Sequence, residues 1–505
     1  MTLIPCDLKL ARRPIEEQYL EVAHLPQRIL ALVVACTALA APLLPAETPL
    51  VITHVNIVDV VDGRIQRDMT LLVVDGKIGE IRHGRGRKIP SRATLVDGSG
   101  KFAIPGLWDM HYHFAGTPGP REFNLLIANG VLGIRDMGDV PAEVFRARGQ
   151  IASGEILGPR IVACGPIVDG PNPTNPPISV SVHNPEDARL TVQTLKGQGA
   201  DCIKVHDGVP LDAYLAIADE VKKVGLPLVG HLPVRVHTLQ ATNAGQRSIE
   251  HQVIFRGAST VEDEVMESER TNDVFAEAMR TRNFRLIPES IAKKGNYILE
   301  HFSDLRADEL YRAFARNGTY LDPTLVTDRS LTFVDEISKD ESDPRLGYIS
   351  ASQRERWKPE NGMLTRYRTP DYIAFRKRQF EKSLQQIPVA HRAGVIFLAG
   401  TDATLPYIYP GFSVHDELGL FVQAGLTPLE ALHTATVNPA KFLGLQQSLG
   451  TIQAGKVANL VLLNSDPLKD IHNTTRIFAV IIRGKLLRRG DLDGMLKAAE
   501  SVARN

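Results

Sequence analysis

The order of elements predicts an α/β chain, a (β/α)8 TIM barrel accompanied by a small β-sandwich built from both chain ends. Three observations predict it. Eight short apolar runs fill the middle of the sequence, most of them separated by stretches of helical periodicity such as Leu211 to Val224. Strands alternating with helices form a parallel sheet, and eight such units suggest closure into a barrel. Hairpin-like texture, apolar alternation broken by Val-Asp-Gly and Asp-Gly-Ser-Gly, occupies residues 49–103 and returns at 446–490.

Along the chain, residues 1–48 read as a leader. Arg28 precedes an apolar stretch from Ile29 to Ala46 that offers A-x-A cleavage sites after Ala40 and, less ideally, Ala46. Val33-Val34-Ala35-Cys36 also resembles a lipobox, so a lipid anchor or an uncleaved membrane anchor stays open beside plain export. The acidic segment before it, with Glu16, Glu17 and Glu21, is unlike a signal n-region and places the true start nearer Val22. The expectation is an exported protein, periplasmic or extracellular. The barrel is expected over 104–445, between sandwich parts at 49–103 and 446–490, with a tail at 491–505. The stretches Phe255 to Asn317 and Thr327 to Pro370 are too long for simple connections and predict a lid or rim.

Lys plus Arg equals Asp plus Glu at 58 each, so the formal charge is zero. That balance, with no basic stripe, argues against nucleic acid and for a small-molecule or dipeptide substrate; a homo-oligomer stays open. Of four cysteines, Cys6 and Cys36 fall in the leader; Cys164 and Cys202 sit in apolar runs and are expected as buried thiols, with no disulfide framework implied.

Polar residues punctuate the apolar runs. His111 and His113 lie two apart on the first strand and therefore share a face. Two neutral imidazoles at that spacing can hold one borderline metal ion, although a lone His-x-His is a weak signal. Lys204, in the fourth strand (IKVHDG), reads either as a surface lysine at a strand end or as an inward group. An inward ammonium must lose or pair its charge; as a carbamate formed with carbon dioxide, its two oxygens could bridge two cations. His231 ends the fifth strand, His251 the sixth, and Asp402 follows the eighth in LAGTDA. That is the barrel face where such enzymes place chemistry.

The ordered set His-x-His, Lys, His, His, Asp resembles the amidohydrolase superfamily. It is most similar to the branch related to imidazolonepropionases and metal-dependent Xaa-Pro dipeptidases. Further matching segments are IPGLWDMHYHF, GIRDMG, AGTDA and GTIQAGKVANLVLL. The resemblance implies two divalent ions, zinc being the expected metal. One is held by His111, His113 and Asp402, the other by His231 and His251, with carboxylated Lys204 bridging. It also implies cleavage of an amide or peptide bond by a metal-bridging hydroxide, with Asp402 accepting the proton and passing it to the departing amine. Ala458-Asn459, where the family commonly has Ala-Asp, is a departure outside the site.

The expected substrate is a dipeptide or N-acyl amino acid. Cyclic-amide (lactam or imidazolone) hydrolysis and esterase or lactonase activity stay open, and a non-catalytic binding protein is disfavoured by the intact set. His206 shares the face of Lys204 and is a candidate substrate contact. His183, after a loop rich in Pro, Gly and Asn, reads as a pocket-wall candidate or an ordinary loop histidine. His415 and Glu417 read as substrate contacts or as groups capping a helix start. Tyr112 is expected in packing, Pro323-Thr324 in shaping the pocket, and His391 as structural.

Overall fold

The computed structural model describes residues 48–84, 89–114, 116–251, 254–271, 274–362 and 365–504. The leader expectation, Cys36 included, falls on residues outside these apart from Thr48. Among the described residues no helix is long and apolar enough to cross a membrane.

The chain ends do combine, into one hydrogen-bonded sheet. Strands β1 (Leu50–Val58), β2 (Ile65–Val74), β3 (Lys77–His83), β4 (Thr94–Asp97) and β5 (Phe102–Pro105) come from the N-terminal side. In the order of strands through this sheet, β5 then leads to three strands from the far end of the chain, Leu460–Leu463, Ile477–Ile482 and Lys485–Arg488. The sheet branches at β1. Leu50 to Thr53 pair with β4, whereas Asn56 and Ile57 pair with β5. Between them His54 takes φ 57 and the register shifts, so the strand kinks and changes partner. Ile52, Val55, Leu71, Ile78, Leu462 and Ile481 fill the apolar face.

In the middle, β6 (Leu107–Tyr112), β7 (Val131–Asp136) and β8 (Arg160–Ala163) form a three-stranded parallel sheet. A second parallel sheet contains β9 (Ile167–Asp169), β10 (Ser179–Ser181), β11 (Ile203–Val205), β12 (Leu228–Gly230), β13 (Gln246–Glu250) and β14 (Tyr320–Asp322). The expected eighth strand, VIFLAGTDA, is a bridged segment instead. The amide of Leu398 donates to Leu321 O on one side, and on the other Met110 N donates to Ala399 O and His113 N to Ala403 O. Gly400 lies so close to β6 and β14 that a Cβ would meet His111 Cβ and Asp322 Oδ1 at 2.5 Å, and Asp402 takes φ 54. Regular pairing therefore stops there.

Between β8 and β11 no ladder forms. Asp201 N donates to Ala163 O, and Cys164 is disulfide-bonded to Cys202 with Cα atoms 4.4 Å apart. This corrects the expectation of two free thiols: each was read within its own strand, while the pairing is set by strands 38 residues apart in sequence. The long insertions are helical, at Glu262–Thr271, Leu286–Glu300, Asp304–Asn317 and Ala351–Trp357 among others, and the helix that follows them is Pro370–Arg392. The C-terminal tail is a helix, Arg489–Arg504, burying Leu492, Ala499 and Ala503.

Candidate metal centre

The six predicted residues are brought to one place. His111 Nε2 and His113 Nε2 each lie 3.5 Å from Asp402 Oδ1, and His251 Nε2 lies 3.8 Å from Asp402 Oδ2. The His251 ring is 4.8 Å from both the His111 and His231 rings. Lys204 Nζ sits 3.3 Å from His111 Nε2, and the lysine is 1% exposed. Strand alternation explains His111 and His113 sharing a face with Asp109 deeper in the strand. Asp109 accepts from Thr401 N at 3.0 Å and Thr401 Oγ1 at 2.6 Å, which ties the bridged segment carrying Asp402 to β6.

The imidazoles are aimed through their other nitrogens. Gly138 O, which can only accept, faces His113 Nδ1 at 2.8 Å, so Nδ1 carries the proton and Nε2 presents its lone pair. Asp207 Oδ1 holds His231 Nδ1 at 3.0 Å, and Thr324 Oγ1 holds His251 Nδ1 at 2.7 Å. Glu250 Oε2 lies 3.3 Å from His111 Nδ1. Burial, reinforced by Lys204, holds His113 down at about 3; burial and the neighbouring His206 hold His231 at about 4. The rings are therefore neutral and able to act as ligands. Burial also lowers the Lys204 ammonium, against the pull of Glu250 and Asp402, and pushes Asp402 up to about 7 against the opposing pull of Lys204.

This donor set fits divalent ions: neutral imidazoles, a carboxylate, and second partners hydrogen-bonded to the Nδ1 atoms of His113, His231 and His251. Ligand atoms of His111, His113 and Asp402 all lie within 4.8 Å of one another. A second group at that spacing joins His231 to His206 and Asp207 rather than to His251. His206 thus lies beside the centre, its ring 4.0 Å from that of His231.

Two other candidates lie elsewhere. His415 is buried, with Nδ1 2.9 Å from Thr474 Oγ1 and Nε2 3.0 Å from Asn129 O; both nitrogens are spent on packing, which corrects the substrate-contact expectation. His183 is exposed beside Asp187 and lines neither cavity that meets at the cluster, so it is an ordinary loop histidine. Glu417 caps, but not its own helix: it accepts from Leu325 N and Val326 N, organising the turn after Thr324. Tyr112 packs, its hydroxyl donating to Glu122 at 3.2 Å.

Sequence reasoning missed Arg135, Glu250, Asp322 and Asp207. Arg135, wholly buried on β7, donates to both Glu250 oxygens at 3.0 Å and to Asp322 at 3.3 Å directly beneath His111. The signal was present for Arg135 and Glu250: a charge within each of the apolar runs GIRDMG and SIEHQ has to be compensated.

Residues 102–487 match the Amidohydrolase family. The chain belongs to that family. This amidohydrolase is a hydrolase, and members of its family are generally metal-dependent. It is 41% identical to the imidazolonepropionase of Thermoplasma acidophilum over 66 residues, 12% of this chain and 16% of that one, so it spans well under two thirds of that relative. Among solved structures, a candidate prolidase from Bifidobacterium longum aligns at 26% identity with a TM-score of 0.64, covering 90% of this chain and 100% of that one. A Xaa-Pro dipeptidase with methionine bound in its active site aligns at 20% identity and TM-score 0.62, covering 87% and 100%. Bottromycin amidohydrolase aligns at 22% and 0.70, covering 90% of each. The last two likenesses concern the fold.

Proposed function

We propose that this amidohydrolase cleaves the C–N bond of a dipeptide or N-acyl amino acid at a binuclear centre. The sheets β6 to β14 and the bridged segment are read together as one closed (β/α)8 barrel, a reading supported by the hydrogen bonds from Leu398, Met110 and His113 across its eighth position. The ions, zinc in this reading, would be held by His111, His113 and Asp402 and by His231 and His251, with Lys204 as a carbamate between them. Two divalent ions supply positive charge that acidifies water and polarises a carbonyl.

The observation that carries the reading is the convergence of three Nε2 atoms on Asp402 while their Nδ1 atoms face acceptors or a hydroxyl. Asp402, facing the Nε2 atoms of His111, His113 and His251, would take a proton from water and deliver it to the departing amine. A cyclic-amide substrate is the second reading, favoured by the short imidazolonepropionase likeness. Export is supported by the Cys164–Cys202 disulfide, a bond that persists in oxidising compartments.

The test is turnover of dipeptides, N-acyl amino acids and lactams by zinc-loaded protein and by Asp402→Asn. The variant is expected to lose roughly 10²–10⁴-fold in kcat while keeping its fold. Equal turnover by variant and parent would remove the proton-transfer role.

A further inference from the structure

The side chains of the cluster are divided between two sheets. His111 and His113 stand at the end of β6, and Asp402 is tied to β6 through Thr401 and Asp109. Lys204 lies on β11, with His231 and His251 just past β12 and β13. Two close contacts cross from one group to the other: Lys204 Nζ to His111 Nε2 at 3.3 Å, and His251 Nε2 to Asp402 Oδ2 at 3.8 Å. Their lengths depend on how the sheets are joined.

At one seam, between β14 and β6, the bridged segment is hydrogen-bonded to both sheets. The other seam, between β8 and β11, is built differently. The chain crosses there, leaving β8 at Ala163 and entering the second sheet at Ile167. At its foot Asp201 N donates to Ala163 O, and Asp201 Oδ2 accepts from Ala163 N at 2.9 Å. At its top Val205 pairs with Val168. Between those points the link is the Cys164–Cys202 disulfide. Both cysteines are buried, in an apolar layer with Trp108, Met110, Val229, Tyr320 and Leu398, which come from both sides of the seam. Ile203 and Val205 pack instead in the cluster of Ala213, Tyr214 and Ile217 on helix Leu211–Val224. Cys202 and Lys204 therefore share the opposite face of the strand, and the disulfide lies one layer beneath the lysine.

Resting on the binuclear reading above, we propose that Cys164 and Cys202 are positioning residues for the metal centre, their disulfide setting the spacing between the two ligand-bearing sheets. Without the bond each sheet keeps its own ligands: His111, His113 and Asp402 on one, His231 and His251 on the other. What the bond fixes is the reach of Lys204 across the seam. Ligands work only when held within about 0.5 Å of their geometry. A shared ligand must satisfy both sides at once, so it is the first to suffer when the sheets shift. Full loading with two ions thereby follows the oxidation of this cysteine pair.

The experiment titrates zinc into metal-free full-length protein against a chelating dye. Three forms are compared: the oxidised parent, the parent unfolded and refolded with a phosphine reductant, and Cys164→Ala/Cys202→Ala. Circular dichroism and denaturant midpoints report folding separately. The first ion is expected to bind equally in all three forms. The second should bind ~10–100-fold more weakly in the reduced and variant proteins, the scale of losing a group that orients a metal ligand. Reoxidation with oxidised glutathione should restore the second ion to the parent but not to the double variant, which separates this bond from the Cys6 and Cys36 thiols. Should the double variant fail to fold, the reduced parent decides. Two equally tight ions in folded, reduced protein, or equal weakening of both, overturns the spacing role and leaves the binuclear reading standing. An oxidised parent that binds no pair of ions sinks both.

Discussion

Asp402, His251 and Thr324 all adopt left-handed backbone conformations, with φ of 54, 63 and 45. None is glycine, so each costs on the order of 1–3 kcal/mol that surrounding contacts must offset. All three belong to the cluster or hold it: Asp402 and His251 line both cavities that meet at the cluster, and Thr324 holds His251 Nδ1 at 2.7 Å. Beside them Gly230 is required sterically: at φ 118, a Cβ there would lie 2.3 Å from Val205 O and 2.8 Å from Lys204 Cδ. His415 shows the opposite use of a buried imidazole. Burial holds it at about 4, below its ordinary 6.5, so it stays neutral when folded. The unfolded chain takes up a proton below pH 6.5 that the folded protein refuses. Stability should therefore be intact above 6.5 and decline as pH falls toward 4, by up to roughly 3 kcal/mol from this one residue. Denaturant midpoints of His415→Gln and parent across pH 4 to 7 check it; parallel pH profiles would contradict it.

At the scale of elements, the centre is held by contacts between strands rather than within them. Arg135 on β7 reaches Glu250 on β13 and Asp322 on β14, and Glu250 backs His111 on β6. Buried charges of this kind are costly to leave unpaired. Arg135→Met would leave Glu250 and Asp322 without their buried cation, and burial already holds Asp322 well above its ordinary range. The expected loss is about 3–5 kcal/mol in denaturant unfolding; an unchanged midpoint would show that the network is not needed. These partners explain what was and was not legible. The ligands could be read because period-2 alternation and strand-end position are local signals: His111 and His113 share a face wherever the strand lies. Arg135 and Glu250 stood within quoted motifs, yet their pairing is 115 residues apart in sequence and only the fold supplies it.

For the whole molecule, the alternating pattern was enough to place β6, β7, β8, β11 to β14 and the bridged segment, because each apolar run has to be buried. Strands β9 and β10 escaped it, lying in the stretch before His183 that reads as a loop, and so did three further features. The end strands form a single branched sheet because His54 breaks β1 into two pairing halves. The eighth position is not a regular strand because Gly400 and Asp402 bend it against β6 and β14. The two cysteines meet only because β8 and β11 are neighbours without a ladder. His415 and His183 misled for the same reason, since neither residue type nor local spacing distinguishes a packed or exposed histidine from one at a cavity wall.

The account stands on Lys204 and its neighbours holding ions together. The most direct measurement is metal content of purified protein by elemental analysis, for the parent and for Lys204→Ala. The parent should carry about two equivalents of divalent transition metal, and the variant distinctly fewer, recovering them only at higher free metal. A parent with no stoichiometric metal, or a variant that keeps its full complement with equal affinity, would contradict the account.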